Sequence, residues 1–123
     1  MTTVAVILLG LAGGVGAGAR FVLDGVVRSK ARTALPWGTI TINVTGSFLL
    51  GLVAGALTRG APLELQMIAG TGFLGGYTTF STASVETVRL IQSRRPGIAV
   101  VNAAGTFAAT LIAATAGMLL AGL

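Results

Sequence analysis

The 123-residue chain is 54% hydrophobic and 9% charged, with a mean hydropathy of +0.92; a soluble domain carries about a quarter of its residues as charges, so a water-soluble fold is excluded. Cysteine and histidine are both absent, which removes disulfides, thiolate chemistry, the usual zinc sites and imidazole acid–base catalysis. The net charge of +5 is spread beside the apolar runs instead of forming one patch, so it reads as a topology signal and not as a nucleic-acid surface.

A spanning helix needs about 20 mainly apolar residues. Four segments qualify, at about 4–24, 37–58, 65–90 and 97–122, and they make residues 1–123 a single four-helix transmembrane domain. The first has the apolar core of a secretory signal, and Ala17-Gly18-Ala19 resembles a cleavage site. Met1-Thr2-Thr3 carries no Lys or Arg, however, so the segment is expected to stay as a mature helix. Its Gly10, Gly14 and Gly18 recur at fourfold spacing, which lets backbones approach where lipid gives helices no hydrophobic reason to associate. Arg20 is the one cation near membrane depth and is either a functional charge or an anchor at the interface. A polar connector is expected from Asp24 to Leu35, ending at Pro36.

The second segment places Thr39, Asn43 and Ser47 on one helical face, with Gly51 and Gly55 continuing the small-residue theme. A hydroxyl can satisfy itself on its own helix, but the Asn43 amide needs several partners in a dry setting. After a turn at Thr58-Arg59-Gly60-Ala61-Pro62, the third segment is the least regular. Around mid-membrane, Gly75-Gly76 precede the β-branched pair Thr78-Thr79, and both features weaken a helix. Non-helical backbone at that depth must be buried in protein or face a cavity, and a broken helix offers carbonyls to cations and amides to anions. The stretch is therefore the best candidate for an ion site. A basic turn, Ser93-Arg94-Arg95-Pro96-Gly97, leads into the last segment, where Asn102, Thr106 and Thr110 form a second polar ladder.

Lys and Arg in short loops favour the cytoplasmic side. Arg28, Lys30, Arg32, Arg89, Arg94 and Arg95 lie at one end and Arg59 at the other, six against one, which predicts that both chain termini face away from the cytoplasm. Enzymatic chemistry is not expected, because Asp24, Glu64 and Glu86 are the only carboxylates and are not paired. Gly70-x-Gly72-x-x-Gly75 mimics a dinucleotide loop without following a strand. A proton-coupled drug transporter would need a mid-membrane carboxylate, and none stands between Val4 and Arg20. A subunit that only packs against a partner is argued against by the polar ladders and the irregular third segment.

The string Gly75-Gly76-Tyr77-Thr78-Thr79-Phe80-Ser81-Thr82, followed by Glu86, resembles the signature of the CrcB/Fluc fluoride channels. Gly16-Ala17-x-x-Arg20, Pro36-x-Gly38-Thr39, Asn43 and Gly46-Ser47-Phe48 match the same layout in order. The resemblance implies a fluoride-selective channel of the plasma membrane, built as an antiparallel, dual-topology dimer with two pores. It implies a structural sodium ion at the dimer centre, held by the backbone carbonyls of Gly75 and Thr78. The fluoride path implied runs by Thr39, Asn43, Thr79, Phe80, Ser81, Asn102, Thr106 and Thr110, with Arg20 near a vestibule and Glu86 at the end of the third helix. One position departs from the family: a second pore-facing ring is expected three residues after Phe80, and Ala83 stands there. The charge bias also sits poorly with insertion in both orientations. Two assemblies follow: a heterodimer with an oppositely oriented paralogue that supplies the missing ring, or a homodimer of mixed orientation.

Overall fold

A computed structural model describes residues 2–123, and every regular element among them is helical. Helix α1 runs Thr3–Lys30, started by the Thr2 hydroxyl, which accepts the Ala5 amide at 3.1 Å. It continues past the expected end at residue 24, so half of the expected connector is helix. The reason is local: Asp24 and Arg28 pair one turn apart at 2.8 Å, and Arg28 and Lys30 stand in the last turn, where cations oppose the negative end of the helix dipole.

Helix α2, Trp37–Thr58, begins after Pro36. It ends in a left-handed turn at Gly60, φ +92°, whose amide donates to Leu57 O at 3.1 Å while that of Ala61 donates to Ala56 O at 3.0 Å. A side chain at that φ costs about 1 kcal/mol, so Gly60→Ala should lower the melting temperature in detergent. An equivalent turn after residue 92 places Arg94 at φ +62°. Arg94→Gly should raise the melting temperature, by less, because glycine also gains freedom in the unfolded chain.

The third expected span is not one rod. Residues 63–77 form α3, made of an α turn Leu63–Leu65, a π-helical stretch Gln66–Leu74 and a final turn Gly75–Tyr77. The chain then opens to extended geometry at Thr78 (φ −81°, ψ 160°) and Thr79 (φ −148°, ψ 119°). Helix α4, Phe80–Gln92, follows, and α5, Pro96–Gly122, opens on a proline whose missing N–H is harmless at a first turn. Three helices, α1, α2 and α5, are long and apolar enough to cross a membrane singly.

Close backbone approach organises the packing. Helix α2 lies along α5, where a Cβ on Gly51 would meet Ala114 O and one on Gly117 would meet Phe48 O. Helix α1 lies on α3, with Gly16 against Phe73 O and Gly76 against Gly13 O. The expected Gly10, Gly14 and Gly18 row is not this seam: nothing lies within 4 Å of a Cβ built on any of them. The seam uses Leu9, Ala12, Gly13 and Gly16, a stripe of helical spacing on another side of α1.

The buried core is small. Ile42, Leu74 and Tyr77 form it, with Ala19, Leu23, Val53 and Phe73 packed around. Phe73 and Tyr77 stack at 5.8 Å, and the Tyr77 hydroxyl meets Thr45 Oγ1 at 2.8 Å. Most large apolar side chains, Leu11, Val15, Phe21 and Leu119 among them, are instead exposed. Such a surface is unsustainable in water and ordinary in lipid, so the chain is a multi-pass membrane protein.

Candidate ion path

The break between α3 and α4 is held by one side chain from α2. Asn43 Nδ2 donates to the Thr79 carbonyl at 2.8 Å, and Asn43 Oδ1 accepts the Thr79 amide at 2.9 Å. Both backbone groups of an extended residue are thereby satisfied inside the membrane, which is the condition for non-helical chain at that depth. One N–H of the Asn43 amide remains uncommitted.

On either side of that clamp the polar groups sort differently. The Thr78 amide and hydroxyl both donate to Leu74 O, each at 2.9 Å. The Thr79 amide is turned to Asn43, so the Gly75 carbonyl loses the donor that a continuing helix would have given it. Thr79 then starts α4 as its N-cap, its hydroxyl accepting the Thr82 amide at 3.1 Å. A helix start with its positive dipole end thus lies next to released carbonyls.

These groups border an open groove of about 850 Å³ between α2, α3, α4 and α5. Asn43, Ser47, Gly75, Thr78, Thr79, Phe80, Asn102, Thr106 and Thr110 all line it, so two rungs of the α2 ladder, the α5 ladder and the break converge on one surface. Asn102 is 3% exposed and donates to Thr87 Oγ1 at 2.9 Å, and Thr87 passes its own hydrogen to Ala83 O. Thr110 bonds back to Phe107 O on its own helix at 3.0 Å. The Phe80 ring, 88% exposed, stands at the groove's lip.

Two expected path residues do not line the groove, nor do Arg20 and Glu86, which were expected near a vestibule and at the end of the third helix. Thr39, the first rung of the α2 ladder, is buried and does not line the groove. Ser81 is exposed and does not line it. Arg20 is half-buried on α1, outside the groove and without an ion pair among the described residues. Glu86 accepts Arg28 Nη2 at 2.6 Å, and this bond joins the end of α1 to α4. Asp24, the other partner of Arg28, lies so close to Gly38 that a Cβ there would overlap its carboxylate.

Residues that sequence reasoning passed over include Ser84, Thr87, Gln66 and Phe107, all groove-lining. Phe107 is the notable one, an aromatic ring 71% exposed on α5 beside Thr106. Its signal was available, since it neighbours a ladder residue. Among the described residues no group of three or more carboxylates, histidines or cysteines could hold a metal, so a cation in this groove would meet uncharged oxygens of backbone, hydroxyl and amide groups.

Apolar helices around an interrupted segment, with hydroxyls, amides and two exposed rings along one groove, define a multi-pass membrane protein of the helical class. The sequence profile described as CrcB-like protein, Camphor Resistance (CrcB), matches residues 7–118, and the chain belongs to that family. It is 54% identical over 124 residues to a protein of Leifsonia xyli subsp. xyli named Fluoride-specific ion channel FluC 1, spanning 100% of this chain and 90% of that one. It is 45% identical over 112 residues to Fluoride-specific ion channel FluC 2 of Cutibacterium acnes, covering 89% and 91%. With the Fluoride-specific ion channel FluC of Geobacter sulfurreducens it shares 41% identity over 123 residues, 98% of each chain.

Proposed function

We infer that this chain is a fluoride-specific channel, not an enzyme, through which cytoplasmic fluoride leaves the cell passively. The observation that carries the reading is the convergence of Asn43, the broken backbone at Thr78–Thr79 and the Asn102–Thr106–Thr110 ladder on one groove. No chemical energy source is required, because an inside-negative potential contributes about 2.3 kcal/mol per charge per 100 mV. HF crosses lipid uncharged and ionises inside, so an outward leak for the anion alone protects the cell. The free N–H of Asn43 and the groove hydroxyls replace part of a tightly held hydration shell.

Ring edges carry partial positive charge and can lie against an anion. Phe80 supplies one edge; Ala83 supplies none, and Phe107, reaching the same groove from α5, takes up that part. An open groove with an exposed ring at its lip favours completion by a second subunit, either another copy in antiparallel orientation or an oppositely inserted paralogue. The bias of basic residues favours termini on the outer side of the plasma membrane. The third expected span then consists of α3 and α4 together, giving four crossings. A sodium ion suits the dimer centre: the Gly75 carbonyl lacks its helical donor, and with Thr78 O it offers uncharged oxygen ligands, the class that alkali cations accept. When bound, the ion would neutralise converging carbonyl dipoles and fix the break.

The test is fluoride-electrode efflux from vesicles carrying this chain alone, then with a paralogue from the same genome. Fluoride release without chloride release is expected in at least one of the two; none in either would overturn the reading. Phe107→Ile should slow efflux by roughly tenfold, the equivalent of one ring contact of about 1.4 kcal/mol. An unchanged rate would remove Phe107 from the path.

A further inference from the structure

A second cavity, of about 480 Å³, lies apart from the groove, where α1 and α4 end and α2 begins, with Arg28, Arg32, Arg89, Glu86, Ser93 and Trp37 in its wall. Its charges are only partly matched. Arg28 spends Nε on Asp24 and Nη2 on Glu86, whereas Arg32 and Arg89 make no ion pair among the described residues. Glu86 presents the opposite need: Oε2 takes Arg28, and Oε1 is buried with no hydrogen-bond donor. A bare anion would answer the two guanidinia and repel that oxygen. A group joining a phosphate to a hydroxyl donor answers both.

The location narrows the source. The ends of apolar spans, at Lys30 and Trp37, mark the water boundary of a bilayer, and a partly exposed Trp37 indole is the side chain that settles there. Basic pockets between helices at that level receive lipid headgroups. Leu35 and Leu90 add apolar wall beside the polar one. We propose that this cavity binds the headgroup of phosphatidylglycerol, with the phosphate against Arg32 and Arg89 and a glycerol hydroxyl donating to Glu86 Oε1, the carboxylate turning toward the cavity to receive it. The assignment is independent of what the groove conducts.

Thermal melting of the purified full chain in detergent tests it, with phosphatidylglycerol, phosphatidylcholine or inorganic phosphate added. Phosphatidylglycerol should raise the midpoint by about 4 °C, and the other two should leave it in place, since phosphatidylcholine lacks the donor and free phosphate lacks the anchoring chains. The exposed pair R32Q/R89Q should melt like the parent without lipid and lose the shift. R94Q/R95Q, which removes the same charge from the neighbouring turn, should keep it. An equal shift with phosphatidylcholine or with phosphate would overturn the proposal, as would a shift that survives R32Q/R89Q or is lost equally in R94Q/R95Q.

Discussion

Asn43→Asp is expected to bring fluoride efflux down to the background leak of empty vesicles. The substitution changes one atom, but that atom is the donor to Thr79 O. An aspartate keeps the acceptor for the Thr79 amide and sets a second oxygen against a carbonyl oxygen, with no proton between them. Leaving the carbonyl unpaired and repelled costs about 3 kcal/mol in a dry site, enough to move the extended residues and the start of α4 behind them. A change of that size in the path corresponds to roughly 100-fold or more in rate. Phe80, the first residue of α4, should be displaced with it. Asn43→Gln should fail as well, because the added methylene cannot keep both bonds to one residue. A wild-type efflux rate for Asn43→Asp, in protein that elutes as one symmetric species, would show that the clamp is dispensable.

The parts of this structure that were readable in the sequence are those decided by composition and local propensity. Apolar length placed α2 and α5 within a residue of their ends, and the glycine pair followed by two threonines marked the region where the chain leaves the helix. The end of α1 was misread because Asp24, Arg28 and Lys30 look like loop when counted for polarity, yet an ion pair one turn apart supports a helix. The π-helical widening over Gln66–Leu74 has no comparable local signature. The stretch packs closely on α1, with Gly72 against Leu9 O and Ala12, a tertiary contact that local sequence does not display.

Site residues divide along the same line. Helical spacing put Asn43 and the α5 ladder on single faces, and those faces meet in the groove. Spacing could not say that Thr39, one turn earlier on the same face, would be covered by packing, nor that Ser81 would stay out of the groove. Thr87 went unnoticed because its importance is its bond to Asn102, fifteen positions on and across a turn. The role of Asn43 changed most. Read as lining, it is first a brace for backbone, and only its remaining N–H is available to an ion.

Gly76→Ala and Gly16→Ala should each prevent the assembled protein from accumulating. Both glycines sit where the backbones of α1 and α3 touch. A Cβ on Gly76 would overlap the Gly13 carbonyl, and one on Gly16 would overlap the Phe73 carbonyl and crowd the Tyr77 amide. The obstacles are main-chain atoms of helices, which cannot rotate aside as a side chain can. The helices must separate, and overpacking of this kind costs about 3 kcal/mol or more. The cost is not recovered elsewhere, since lipid gives the separated helices no hydrophobic penalty to hold them together. Separation also withdraws α3 from the position in which Asn43 reaches Thr79, so any protein that survives should conduct poorly. Gly25→Ala is the control, being helical on α1 with nothing within 4 Å of the added carbon; it should gain up to about 1 kcal/mol from propensity alone. Yield of monodisperse protein by gel filtration and the melting midpoint in detergent separate the cases. If Gly76→Ala matches Gly25→Ala in both, the α1–α3 seam is looser than this packing requires.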